Sequence, residues 1–176
     1  MQLIQTPLAG AYVIEPTPIE DDRGLFAYGF RADEFAGRGL IPAIAQVNIS
    51  FTRHRGTLRG MHFQIPPHQE AKTIRCVRGA AYDVIVDLRP DSPTRCRWFA
   101  TELTADNRRA LYVPPGFAHG FQTLTDDVEV LYLVSAYYTP SHYRGVRWND
   151  PAFGIEWPLA PLRMHQRDRA YPDFRA

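Results

Sequence analysis

The chain has 176 residues, 45% hydrophobic and 22% charged, with a formal net charge of +1. That length is expected to form a single domain over residues 1–176, and it buries roughly 70% of its unfolded surface without needing a staple. The near-zero charge argues against nucleic acid as a partner, and no apolar window approaches the ~18 residues that a membrane-spanning helix requires.

Residues 1–20 read as extended, with Tyr12, Val13 and Ile14 as strand formers and Pro16 and Pro18 opposing helix. Asp21-Asp22-Arg23-Gly24 is a turn signal. Ala32 to Gly37 is the best short helix candidate, stopped by glycines at 37 and 39. Ile44 to Phe51 alternates, with Gln46, Asn48 and Ser50 on one face and Val47, Ile49 and Phe51 on the other. Gly56 to Lys72 is polar and broken by Gly and Pro, so it reads as a loop-rich segment between two β-like segments and as a place for a site. Thr73 to Val77 and Ala80 to Leu88 read as a hairpin around Arg78-Gly79. Trp98 to Leu103, Leu111 to Val113, Phe117 to Thr123 and Val128 to Tyr138 read as further strands. The tail from Thr139 on holds five prolines and reads as mostly irregular. Many short strands at roughly ten-residue spacing indicate an all-β sandwich or barrel.

Two cysteines, Cys76 and Cys96, lack the spacing of a disulfide scaffold or a metal site and fit a reducing compartment. With no signal segment in MQLIQTPLAG, a cytoplasmic protein is expected. Lys72 is the only lysine, and it sits in the polar stretch with Arg55, Arg59, His62, His68 and Glu70. Of the six histidines, His62 and His119 stand out by context: His62 follows Arg59-Gly60, and His119 lies in PPGFAHGF between two glycines. These residue types suit proton transfer. A histidine base works best with its second ring nitrogen held by a carboxylate, and a lysine can stabilise an oxyanion. Spacing alone pairs none of them with His62. Tyr132 reads equally as a barrel-lining aromatic, Asp168 as a solvated tail charge and Lys72 as a surface lysine.

PPGFAHGF resembles the second motif of the cupin superfamily. The region of the first motif offers only His62-Phe63-Gln64, with Glu70 as a third candidate ligand, so no metal is expected. The chain as a whole resembles the dTDP-4-dehydrorhamnose 3,5-epimerase family. The matching pieces are DDRGLF (21–26), QVNISF (46–51), GTLRGMHFQ (56–64), RGAAYDVIVDLRPDSPT (78–94), LTADNRRALYVPPGFAHGFQTL (103–124), EVLYLVSAYYTP (129–140) and RGVRWNDPAFGIEWP (144–158).

The resemblance implies a cupin-like jelly roll with short peripheral helices. It implies epimerisation, without a cofactor, at C3 and C5 of a nucleotide-linked 4-keto-6-deoxyhexose. His62 is then the base, Asp168 its orienting partner, Tyr132 the acid and Lys72 the group that steadies the enolate oxygen. Arg23 and Arg59 would hold the pyrophosphate, with Phe26 also on the substrate. Gln46, Asn48 and His119 would line the sugar site, and Tyr138 the nucleotide side. A homodimer is implied, its N-terminal arm reaching the neighbour's site. Two departures bear on substrate. Many members have Gln where this chain has Glu70, which is expected to touch sugar hydroxyls. Many have Glu where it has Tyr28, which is expected to stack on the base. A C3-only or C5-only epimerase acting on another nucleotide sugar, such as a CDP-linked one, and a non-catalytic binding module are the alternatives.

Overall fold

The computed structural model describes residues 1–175. Short β-branched and aromatic runs, cut by Gly and Pro, form strands through most of it. In chain order they are β1 (Gln2–Gln5), β2 (Tyr12–Glu15), β3 (Ile19–Asp21), β4 (Gly24–Phe26), β5 (Gln46–Thr52), β6 (Thr57–Gln64), β7 (Lys72–Arg78) and β8 (Ala80–Asp87). They continue with β9 (Trp98–Thr104), β10 (Ala110–Val113), β11 (Phe117–Thr123), β12 (Val128–Val134), β13 (Tyr143–Gly145) and β14 (Arg163–Met164). Two short helices, α1 (Ala32–Gly37) and α2 (Gln166–Arg169), lie outside the strands.

The strands form two facing sheets. The first has the order β1-β2-β10-β7-β12-β5 and the second β13-β6-β11-β8-β9, with β14 added parallel to β6. β3 and β4 form a separate hairpin. This is the expected cupin-like jelly roll with peripheral helices. The core between the sheets joins Ile74, Cys76, Leu111 and Val130 from the first to Ile85, Leu103, Phe117 and Phe121 from the second. Alternation sends Met61, Val84, Val86 and Ala118 to the outer face of the second sheet, where Phe153 and the tail residues Trp157 and Phe174 cover them. Phe35 of α1 covers the outer face of the first sheet with Leu3, Ile14 and Tyr112. Both cysteines are free, and burial pushes the Cys76 thiol up to about 11.

Three expectations change. The segment 73–88 is not a hairpin: β7 pairs with β10 and β12, whereas β8 pairs with β11 and β9. Gly79, at φ +73°, turns the chain from one sheet to the other, and a Cβ there would meet Thr125 Oγ1 at 2.6 Å. Residues 57–64 are not loop but strand β6, because its polar side chains face a cleft rather than a core. The run from Val128 stops at Val134 rather than Tyr138, since Ser135 leaves the strand to lock Ala71.

β6 carries the feature that places the site. Strict alternation would put Arg59 and His62, three apart, on opposite faces. However, His62 stands opposite His119 while Arg59 stands opposite Phe121, so β6 holds one extra residue across that step. This bulge turns Arg59 and His62 to the same side. It depends on a close backbone approach: a Cβ on Gly60 would lie 2.5 Å from Gly120 Cα.

Candidate active site

A cleft of about 960 Å³ opens between the two sheets. The first sheet contributes the polar face of β5 (Gln46, Asn48, Ser50), Lys72 from β7 and Tyr132 from β12. The second contributes Arg59 and His62 from β6 and His119 from β11. Tyr138, Tyr143 and Asp168 close it from the tail side. β5 is thus inverted relative to a core strand: Ile49, on its apolar face, is 69% exposed.

Asp168 is not a solvated tail charge. It is 2% exposed, and its Oδ1 lies 2.8 Å from His62 Nε2 while Gly60 N–H donates to its Oδ2 at 3.2 Å. Burial alone would raise the Asp168 carboxyl. The His62 hydrogen bond, helped by Gly60 and Arg167, outweighs it and holds the group below its usual value. An ionised Asp168 only accepts, so Nε2 of His62 carries the proton and Nδ1 offers its lone pair. Burial also holds the imidazole below its ordinary 6.5, against the opposing pull of Asp168. His62 is therefore neutral and basic at neutral pH.

Tyr132 lines the cleft from the opposite sheet, its ring 6.0 Å from that of His119. Burial, with a smaller contribution from Asp83, keeps its phenol protonated well above the ordinary range. Lys72 Nζ lies 3.1 Å from Glu70 Oε1 and 3.4 Å from the His62 carbonyl oxygen. Arg59 is braced by Nε donating to Thr52 Oγ1 and Nη2 donating to the Phe51 carbonyl, which leaves its other N–H groups free for a ligand. Gln46 accepts from Tyr138 N–H and donates to Asn48, tying β5 to the aromatic edge of the cleft.

Arg23, Phe26 and Tyr28 are not brought to this cleft. They lie in or just after the exposed β3–β4 hairpin, away from the site of their own chain. Two residues escaped the sequence reading. Asp83, fully buried, places both oxygens 3.0 Å from His119 Nε2. The one charge inside the apolar run AAYDVIV was its signal. Tyr143 sets its ring 5.2 Å from both His62 and Tyr138, under the Arg167 guanidinium. Nothing in its local sequence marks it. Glu70 faces Lys72, and among the described residues no three His, Cys, Asp or Glu side chains converge as metal ligands.

The cleft thus holds a carboxylate-paired neutral histidine on one wall and a protonated phenol on the other. The family model for dTDP-4-dehydrorhamnose 3,5-epimerase matches residues 5–176. The chain belongs to that family. A Sinorhizobium fredii dTDP-4-dehydrorhamnose 3,5-epimerase is 41% identical over 168 residues, 95% of this chain and 86% of that one. The Bacillus anthracis dTDP-4-dehydrorhamnose 3,5-epimerase, solved with TDP and PPi bound, superposes with a TM-score of 0.94 at 42% identity, covering 98% of this chain and 99% of that one. ChmJ, a 3'-monoepimerase from Streptomyces bikiniensis solved with dTDP-quinovose, has a TM-score of 0.87 at 38% identity, covering 96% and 85%. The chain is thus similar both to 3,5-epimerases and to a 3'-monoepimerase.

Proposed function

We propose that this chain is an isomerase converting dTDP-4-dehydro-6-deoxyglucose to dTDP-4-dehydrorhamnose by inverting C3 and C5, without a cofactor. The observation that carries the reading is the His62–Asp168 pair on one wall with Tyr132 on the other. A proton next to the C4 ketone is acidic only if the enolate oxygen is stabilised as charge develops. Lys72 has three N–H donors, two of them directed at Glu70 and the His62 carbonyl, and the third serves that oxygen. His62 Nδ1 takes the proton from one face of the ring, and Tyr132 returns one to the other, which inverts the carbon. The electrons are conserved, so the reaction needs no redox partner.

Arg59 holds the pyrophosphate through charge-assisted bonds, Gln46, Asn48 and His119 line the sugar, and Tyr138 flanks the nucleotide. Residues 1–176 act as one domain, supported by a family match of nearly that length. The protein works as a homodimer in the cytoplasm. The exposed hairpin with Arg23, Phe26 and Tyr28 reaches the neighbour's cleft. Support for this comes from the exposure of Phe26 and Tyr28 and of the apolar β5 face. Among the described residues, no helix is long and apolar enough to cross a membrane.

The decisive measurement is NMR in heavy water with a panel of 4-keto nucleotide sugars. Deuterium should enter both C3 and C5 of the dTDP substrate. No exchange at either carbon with any nucleotide would sink the reading. Exchange at one carbon only selects the second reading, a single-carbon epimerase, which the likeness to the 3'-monoepimerase keeps in play. Faster exchange with a CDP-linked sugar would move the base preference.

A further inference from the structure

Glu70 uses only part of its hydrogen-bonding capacity. It lines the cleft, and its side chain is 6% exposed. Oε1 faces Lys72 Nζ, but Oε2 is buried with no partner. The residue is held in place: Ala71 N–H donates to Ser135 Oγ at 2.8 Å, and Ser135 N–H donates back to the Ala71 carbonyl at 3.0 Å. A buried carboxylate oxygen without a donor is costly, so the site is completed by something that brings one. Beside it, Lys72 keeps one donor unused. The pair therefore offers one spare donor next to one spare acceptor. Its complement is a ligand with an acceptor and a donor on neighbouring atoms, which is what an α-hydroxy ketone presents.

We infer that Glu70 is a specificity-determining residue that accepts a hydrogen bond from the C3 hydroxyl of the sugar while Lys72 donates to the C4 oxygen. The inference rests on the epimerase reading above. In a 4-keto-6-deoxyhexose the two neighbours of C4 are C3 and C5, and only C3 carries a hydroxyl. A carboxylate accepts and never donates when ionised, so a sugar lacking that hydroxyl leaves Oε2 unpaired in the bound state.

The test compares solvent-deuterium exchange at C5 in a 3-hydroxy and a 3-deoxy dTDP-4-keto sugar, since both keep the acidic C5 proton. Wild type should favour the 3-hydroxy sugar by about tenfold or more in kcat/KM, as expected for a hydrogen bond to a charged group. Glu70→Ala should bring the ratio toward one, chiefly by losing rate on the 3-hydroxy sugar. Glu70→Gln, which keeps a neutral hydrogen bond, should fall between them and serves if the alanine variant does not fold. Equal C5 exchange of both sugars by wild type, or a preference unchanged in the variants, overturns the inference and leaves the epimerase reading standing. No exchange at C3 or at C5 of either sugar removes both.

Discussion

Nε2 of His62 stands 2.8 Å from Oδ1 of Asp168, although 106 residues separate them in the chain. One residue comes from a strand of the second sheet and the other from a four-residue helix in the tail. Both groups are shifted below their ordinary values, and the two directions agree on one state: neutral imidazole, ionised carboxylate.

Asp168→Asn should therefore cut kcat by roughly 10²–10⁴-fold while leaving the substrate Kd within a few-fold. The amide removes the charge that fixes the tautomer of His62. Single-turnover rates alongside calorimetric binding would separate the two effects. A variant with near wild-type kcat would show that His62 does not depend on this partner.

The pH profile follows from the same pair. As the proposed base, His62 must be neutral, and burial holds its value below 6.5. The acid limb of kcat/KM should then have its midpoint below 6.5, with activity flat above it through neutrality. Asp168 opposes the burial effect by favouring the charged ring. Substituting it by Asn should move the limb to lower pH still. A wild-type midpoint above 7 would contradict the assigned state.

Tyr132→Phe removes the proposed acid and leaves the proposed base, His62. His62 can still take a proton and return a deuteron to the same face. The expected result is deuterium incorporation without inversion, with product formation reduced by roughly 10²–10⁴-fold. Proton NMR distinguishes the labelled substrate from the epimer. Unimpaired inversion would place the acid elsewhere.

Gly120→Ala tests the close approach of β6 to β11. An added Cβ would meet Met61 Sδ at 2.6 Å and the Arg59 carbonyl oxygen at 2.7 Å. Overpacking of this kind costs about 1–3 kcal/mol, measurable as a lower urea midpoint at unchanged m-value. No shift would mean that the two strands separate without penalty.

Arm exchange is checked by mixing two dead variants. Arg23→Ala and His62→Ala protomers, unfolded and refolded together, should recover activity in roughly one quarter of sites if the hairpin serves the neighbour, because a mixed dimer then has one site free of both lesions. If Arg23 acts within its own chain, the mixture stays inactive.

The elements legible in the sequence were those with local signals. Helix 32–37 and strand 117–123 match to the residue, because flanking glycines and the Pro-Pro-Gly turn set their ends. What failed was pairing, which is not local. Nothing in Lys72 to Leu88 tells that the two strands join different sheets, and a tight turn at Gly79 reads the same either way. The polar side chains of β6 disguised a strand as a loop, since its inward face borders a cleft. Residue types alone left Asp168 as a tail charge. The family resemblance implies a role for it, and only the folded chain gives its burial and its contact with His62.

The extra residue in β6 has an evolutionary consequence. Point substitutions can alter what Arg59 or His62 does, but none can move either to another face of the sheet. A change in chain length can. Deleting one residue between them would restore regular alternation and turn one of the two outward, separating the proposed phosphate grip from the proposed base in a protein whose hydrophobic pattern is otherwise intact. Loss of the joint placement of these two side chains in one cleft is thus a single codon away.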